Sequence, residues 1–314
     1  VPPGEQSLWE SDPYTLRVEG DRIYGRGVED NQQGLVASIG AALALKQAGI
    51  SPSLPVRLLF VADEETGSTY GIQYLLKEHP DLFSEGDLFL VPDSGTPAGD
   101  EIEIAEKSTL WLKLKTRGKQ CHASMPQEGK NAFVAASDLV LRLSGMNKRF
   151  PQTNSLFQPS ASTFAPTKKE ANVPNVNTIP GEDVFYLDAR ILPEIPVDDV
   201  LEAVREEANR VEDEYGTAVE VETVQRVSSP PTPGDSILVE AVGSALKRVR
   251  GVEGRSIGIG GGTVGAYLRL SGHDTVVWGT LEETMHMPNE YCLVPNLLND
   301  AKVMADMMIQ NYRS

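Results

Sequence analysis

The chain has 314 residues, enough for two domains or one large one at roughly 100–200 residues per domain. Apolar residues make up 40% of it, which excludes a disordered chain. Its 28 basic and 45 acidic residues give a formal charge of −17, a field that repels phosphate backbones and anionic lipid, so neither nucleic acid nor a membrane is expected as a partner.

Residues 22–24 read as a short strand before the turn Gly25-Arg26-Gly27. Residues 34–48 (GLVASIGAALALKQA) are small and largely apolar, as suits a buried helix. Residues 56–62 (VRLLFVA) form a continuous apolar run of strand length, the pattern of a sheet covered on both faces. A helix over 71–77 and a buried strand over 87–91 follow. This alternation predicts an α/β layer with a mixed, mostly parallel sheet flanked by helices.

The middle has another character. Residues 109–116 (TLWLKLKT) alternate apolar and polar, the mark of a half-exposed antiparallel strand. A helix over 131–143 precedes a Pro/Ser/Thr-rich passage from 151 to 175. Then come a strand over 184–192, an amphipathic helix over 197–215 and a strictly alternating strand over 218–227. This order predicts an inserted α+β sandwich. SSPPTPGD (228–235) punctuates the chain. Beyond it lie a helix over 236–250, a glycine-rich turn, a buried strand over 275–278 and a terminal helix over 295–312. The expected division is 1–108 and 228–314 for the outer domain and 109–227 for the insertion.

No apolar stretch approaches the roughly 18 residues of a membrane helix, and the opening VPPGEQSLWESDPY has neither the basic head nor the apolar run of a signal peptide. Cys121 and Cys292 cannot build a disulfide framework, which fits a cytoplasmic setting.

Asp30, Glu64, Glu65 and Asp93 all fall just beyond predicted strands or turns, and His286 follows the strand at 275–278 by eight residues. In an open α/β sheet that edge is where ligands bind. Four carboxylates converging there would repel one another without a cation, and oxygen donors with one imidazole suit zinc or manganese. Adjacent Glu64 and Glu65 point in different directions, so one can bind metal while the other takes a proton from water. The plainer reading, solvated loop acids, explains the spacing equally well, because 45 acids must go somewhere.

The set as a whole separates these readings. GRGVEDNQQG, LLFVADEETGS, LVPDSG, RGKQCHASMP, NVNTIPGEDVFYLDARILP, GIGGGTVGAYLR and TMHMPNEY occur in that order. The chain resembles the family-twenty zinc peptidases and deacylases, which include succinyl-diaminopimelate desuccinylase, acetylornithine deacetylase, carboxypeptidase G and aminoacylase. The resemblance implies a metal-dependent amidohydrolase that removes an N-acyl group from an amino acid or cleaves a small peptide with a free carboxylate. It implies two zinc ions per subunit in an intact member, with cobalt or manganese fitting the same donors. Asp30 would bridge the metals, Glu65 and His286 would complete one site, and Asp93 would belong to the other. Glu64 would be the general base. His122, delivered from the partner of a homodimer by the inserted lid and dimerisation domain, would stabilise the oxyanion. Asn177 and Arg190 would hold the substrate's carboxylate and nearby oxygens, and Gly262 and Thr263 would pack against the substrate.

The family also places a His-x-Asp motif just before the segment that here reads VPPGE. The resemblance therefore implies a chain truncated at its N-terminus, with one metal or none and negligible turnover. The alternative function is a catalytically incompetent fragment or degenerate member that keeps the fold and the dimer surface. Position 121 is Cys where the family usually has Gly, and Val264-Gly265 replaces its usual acidic residue. Residues 260–265 also satisfy GxGxxG, but no acidic residue stands about 20 positions on, so a dinucleotide site is set aside. His79 and His273 read as structural surface residues.

Overall fold

The computed structural model describes residues 1–312. In chain order, Arg17–Glu19 (β1) and Arg22–Tyr24 (β2) pair antiparallel and lead to helix α1 (Gly34–Ala48). Helix α2 (Ile72–Glu78) and strands β3 (Phe89–Gly95) and β4 (Glu101–Glu106) follow. The middle holds β5 (Ser108–Arg117), β6 (Cys121–His122), α3 (Ala132–Ser144), β7 (Thr163–Lys169), β8 (Thr178–Ile179), β9 (Glu182–Ile191), α4 (Val197–Tyr215) and β10 (Ala218–Val227). The last part holds α5 (Ile237–Arg250), β11 (Arg255–Ile259), α6 (Val264–Leu270), β12 (Thr275–Gly279), β13 (Tyr291–Leu293) and α7 (Val294–Ile309). No helix among the described residues is long and apolar enough to cross a membrane.

Contacts divide the chain into two units. The first contains Val1–Ala105, Pro231–Ile257 and the residues from Thr263 onward; the second contains Glu106–Pro230 with Gly258–Gly262.

The first unit is an α/β layer whose sheet runs β11-β4-β12-β3. β12 pairs parallel with β3 and antiparallel with β4, so the sheet is mixed. All five residues of β12 (TVVWG) are buried, as a central strand covered on both faces requires. Successive residues of β3 point to opposite faces. Val91 joins Ile72 of α2, Leu268 of α6 and Val277, whereas Leu90 packs on Ala37 and Ala41 of α1 and Met304 of α7. The alanines let α1 lie close to α7. A separate sheet, β1-β2-β13, carries the chain into and out of the region of Asp30 and His286.

One segment departs from the sequence reading, and another gave no sign of its burial. VRLLFVA (56–62) is no strand: it pairs with none of the described strands, and Val56, Leu59 and Phe60 are exposed. Strand preference counts only where a neighbour supplies the ladder and the packing. Conversely, β4 (EIEIAE) alternates charge like a surface strand yet buries Glu103 and Glu106. Glu103 is tolerated because the equally buried Arg269 donates to it at 3.2 Å.

The second unit is an antiparallel sheet, β10-β5-β9-β7, with α3 and α4 packed on one face. Burial alternates along β5, so Leu110, Leu112 and Leu114 face the helices while Trp111, Lys113 and Lys115 face away. Phe185, Leu187 and Ala189 of β9 join the core. Asn131 caps α3 by accepting from the amides of Phe133 and Val134. β7 lies within the Pro/Ser/Thr-rich passage, where no strand was expected. β6 and β8 form a two-residue ribbon pairing Cys121 with Ile179 and His122 with Thr178.

Candidate active site

Asp30 lies in an irregular turn between β2 and α1, where Asp30 and Asn31 leave helical backbone angles. The turn is fastened to the end of β3: the Asn31 side-chain amide donates to the Pro92 carbonyl at 2.8 Å and to Asp93 Oδ1 at 2.5 Å. Gly34 allows this approach, since a methyl group there would come within 2.6 Å of the Pro92 carbonyl oxygen.

Glu64 and Glu65 form a tight turn bounded by Asp63 and Gly67, both in the left-handed region (φ +56° and +101°). The Asp63 carboxylate holds that turn by accepting from the Tyr70 amide at 2.8 Å. His286 sits in the loop between β12 and β13, itself left-handed at φ +62°. A non-glycine residue in that region is a local strain that surrounding contacts must hold in place.

These three segments bring Asp30, Glu65 and His286 together. His286 Nε2 lies 3.0 Å from Asp30 Oδ2 and 3.0 Å from Glu65 Oε1. One donor atom from each residue falls within 4.8 Å of the other two. An imidazole nitrogen with two carboxylate oxygens is a donor set that fits a divalent metal such as zinc. Glu64 stands outside that trio, near enough to Asp93 for its charge to act there.

Burial, followed by the charges of Glu64 and Asp30, pushes the Asp93 carboxyl up to about 8. Burial and the Glu65 carboxylate likewise raise Asp30, against the pull of His286. Asp93 has a folded pKa above its ordinary value of 3.8, so the folded, metal-free protein holds a proton that the unfolded chain releases. That contribution to stability is complete below the ordinary value and is lost as the pH rises through about 8. The urea midpoint of chelator-treated protein is therefore expected to fall between about pH 5 and about pH 9. A rising midpoint would show that these carboxyls are not crowded.

The remaining expected site residues, apart from Thr263, belong to the second unit. His122 is exposed on β6, and its Nδ1 accepts from the Ser124 amide at 3.2 Å and lies 2.7 Å from the Ser124 hydroxyl. An Nδ1 that accepts leaves the proton of the neutral ring on Nε2, so Nε2–H is the free donor. Asn177 is tied to the same ribbon: its carbonyl accepts from the Ala123 backbone amide at 2.9 Å and its Oδ1 from the Asn175 side-chain amide at 2.5 Å. The structure thus brings His122 and Asn177 together.

Arg190 is more committed than its expected role suggests. Its guanidinium forks onto Asp188 at 2.7 and 3.1 Å and also donates to Thr109 Oγ1 and the Gly260 carbonyl. Four hydrogen bonds leave little of its five-donor capacity, so a bidentate grip on a substrate carboxylate requires Asp188 to yield. A Cβ on Gly262 would stand 3.6 Å from a Glu106 carboxylate oxygen. Thr263 caps α6, its hydroxyl accepting from the Gly265 amide at 3.0 Å.

Sequence reasoning overlooked Glu29 and Glu290, the buried acids that flank the trio. The signal was present, since both stand inside the motifs GRGVEDNQQG and TMHMPNEY. A loop glutamate reads as solvated until its burial is seen.

Residues 1–310 match the model of the peptidase family M20/M25/M40. An uncharacterised metallohydrolase of Methanocaldococcus jannaschii is 38% identical over 98% of this chain and 78% of its own length. A succinyl-diaminopimelate desuccinylase of Sulfurovum is 24% identical over 92% of this chain and 75% of its own. Among solved structures, a tripeptidase of Staphylococcus aureus superposes with a TM-score of 0.78 at 20% identity, covering 94% of this chain and 75% of that one. An M20 metallo-carboxypeptidase of Sulfolobus solfataricus gives 0.74 at 19%, covering 98% and 82%. The chain accordingly belongs to the peptidase family M20/M25/M40, as a metal-dependent hydrolase of C–N bonds.

Proposed function

We propose that the protein is a zinc amidohydrolase that removes an N-acyl group from an amino acid or cleaves a small peptide with a free carboxylate. The convergence of Asp30, Glu65 and His286, with a second glutamate adjacent but outside the trio, carries this reading. Zinc held by the trio would polarise the amide carbonyl and acidify water. Glu64 accepts the proton of the attacking water as its oxygen bonds to the carbonyl carbon. It returns that proton to the amine nitrogen as the C–N bond breaks. The His122 Nε2–H donates to the developing oxyanion, and loss of such a donor typically costs about 10²–10³ in rate. Asn177 and Arg190 orient the substrate's carboxylate, with Gly262 and Thr263 against its body, and Asp93 adds a further carboxylate for metal.

Among known neighbours, the desuccinylases and the tripeptidase define the two substrate classes to separate. The test is a panel of N-succinyl and N-acetyl amino acids and small peptides given to the full-length protein, with and without chelator. Hydrolysis of one class, abolished by chelation, is expected. Failure on every substrate of the panel, with metal bound, would favour the non-catalytic alternative.

We further propose a cytoplasmic homodimer formed through the second unit as a lid, with His122 acting in the partner's site. Support comes from α3, which leaves Phe133, Val134 and Leu141 exposed. Mixed dimers of Glu64→Ala and His122→Ala subunits should regain part of the activity. Absence of recovery after verified subunit exchange would place His122 in its own subunit's site or outside the reaction.

A further inference from the structure

Two carboxylates in the first unit are buried beside the metal-ligand candidates and bond to backbone rather than to the ligand side chains. Glu290 is fully buried and Glu29 is 1% exposed. Burying a carboxylate is unfavourable unless its oxygens are met by donors, and here the donors lie in a reciprocal pattern. Glu290, four residues after His286, reaches back to the turn that carries Asp30. Its Oε1 accepts from the amides of Glu29 at 3.0 Å and Asp30 at 3.1 Å. Its Oε2 accepts from the Gly27 amide at 3.0 Å and from Arg26 at 2.6 Å. Glu29, immediately before Asp30, reaches the other way. It accepts from the amide of Glu282, and from the amide and hydroxyl of Thr284 at 2.5 and 2.7 Å. Each glutamate therefore holds the backbone of the loop opposite its own.

This clasp begins where the sheet stops. The pairing of β2 with β13 ends at Tyr24 and Tyr291, and the Gly25 amide still donates to the Glu290 carbonyl at 3.0 Å. Beyond that point no ladder fixes the spacing of the two loops, and one of them contains three left-handed residues, Glu283, His286 and Asn289. The charged hydrogen bonds replace the ladder. We propose that Glu29 and Glu290 are positioning residues, a reciprocal clasp that sets the separation of Asp30 and His286 and thereby the site's affinity for a divalent metal. The proposal rests on the reading of Asp30, Glu65 and His286 as metal ligands.

Glu29→Gln and Glu290→Gln keep shape and burial but replace one acceptor oxygen of each clasp by a donor. Zinc affinity, measured by competition with a chromophoric chelator, should fall about 10–100-fold in each, the usual loss when an outer partner of a ligand is removed. The visible bands of the cobalt-loaded protein should change as well, because they report ligand geometry. Leu139→Ala in α3 serves as a control that lowers stability elsewhere and should leave zinc affinity unchanged. His286→Ala separates the two ideas: wild-type zinc affinity there would remove the metal-site reading itself. If His286→Ala loses zinc while both Gln variants bind it as the wild type does, the clasp is overturned. Should the Gln variants not fold, Thr284→Val decides: it deletes one hydroxyl donor to Glu29, and weaker zinc binding supports the clasp whereas wild-type binding refutes it.

Discussion

Replacing Glu64 by alanine is expected to lower turnover of the full-length protein about 10²–10⁴-fold, the range for a lost general base, while its metal content stays unchanged. The expectation rests on how the turn at Glu64–Thr66 parts two adjacent glutamates. With Asp63 and Gly67 both left-handed, the chain reverses within three residues, and the neighbouring carboxylates end in different surroundings. Glu65 enters the trio with Asp30 and His286, and Glu64 stands outside it, near enough to Asp93 for its charge to act there. A glutamate in the trio takes metal with it when deleted, whereas a glutamate outside it takes the proton acceptor. Metal analysis beside kinetics distinguishes the two. Metal lost together with turnover would mean that the roles of Glu64 and Glu65 are exchanged.

The largest expected effect on stability lies away from the chemistry. The side chains of Arg269 and Glu103 are each 1% exposed, and Arg269 also donates to the Thr275 carbonyl at the start of β12. Removing one partner of a buried charged pair is typically destabilising by about 3–5 kcal/mol. Arg269→Leu should therefore lower the free energy of unfolding by about that amount in urea titrations. Arg269→Leu combined with Glu103→Leu should recover much of the loss, because an apolar pair of similar size removes both charges from the sheet. A double variant no better than the single one would show that packing, not charge, is what Arg269 supplies.

The residues of the trio were legible because Asp30, Glu65 and His286 stand in the motifs that carry the family resemblance; their spacing alone fits solvated loop acids equally well. The helices with one polar face were legible too: α4 follows its 3.6-residue pattern from Val197 to Tyr215. What the sequence hid was partnership. EIEIAE looks solvated until Arg269 is placed beside Glu103, and TFAPTKK looks like loop until β9 offers its edge. VRLLFVA looks like a strand and stands without a paired neighbour among the described residues. Glu29 and Glu290 stand inside the motifs yet read as surface acids, since the amides that justify their burial are about 260 positions away in sequence.

The ribbon of β6 and β8 has a bearing on selectivity. Its two strands are hydrogen-bonded across Cys121–Ile179 and His122–Thr178 and are closed at the base by the Gly118 amide on the Gly181 carbonyl. Gly118 is crowded there, because a methyl group would lie 2.1 Å from the Lys130 carbonyl oxygen. His122 and Asn177 are thus carried on a single small body, and a displacement that brings one of them to a substrate brings the other. Under the roles proposed for them, a substrate whose polar end fits Asn177 poorly also receives a misplaced oxyanion donor. Discrimination between acyl groups would then register in kcat more than in KM, and a poor substrate would be bound yet turned over slowly.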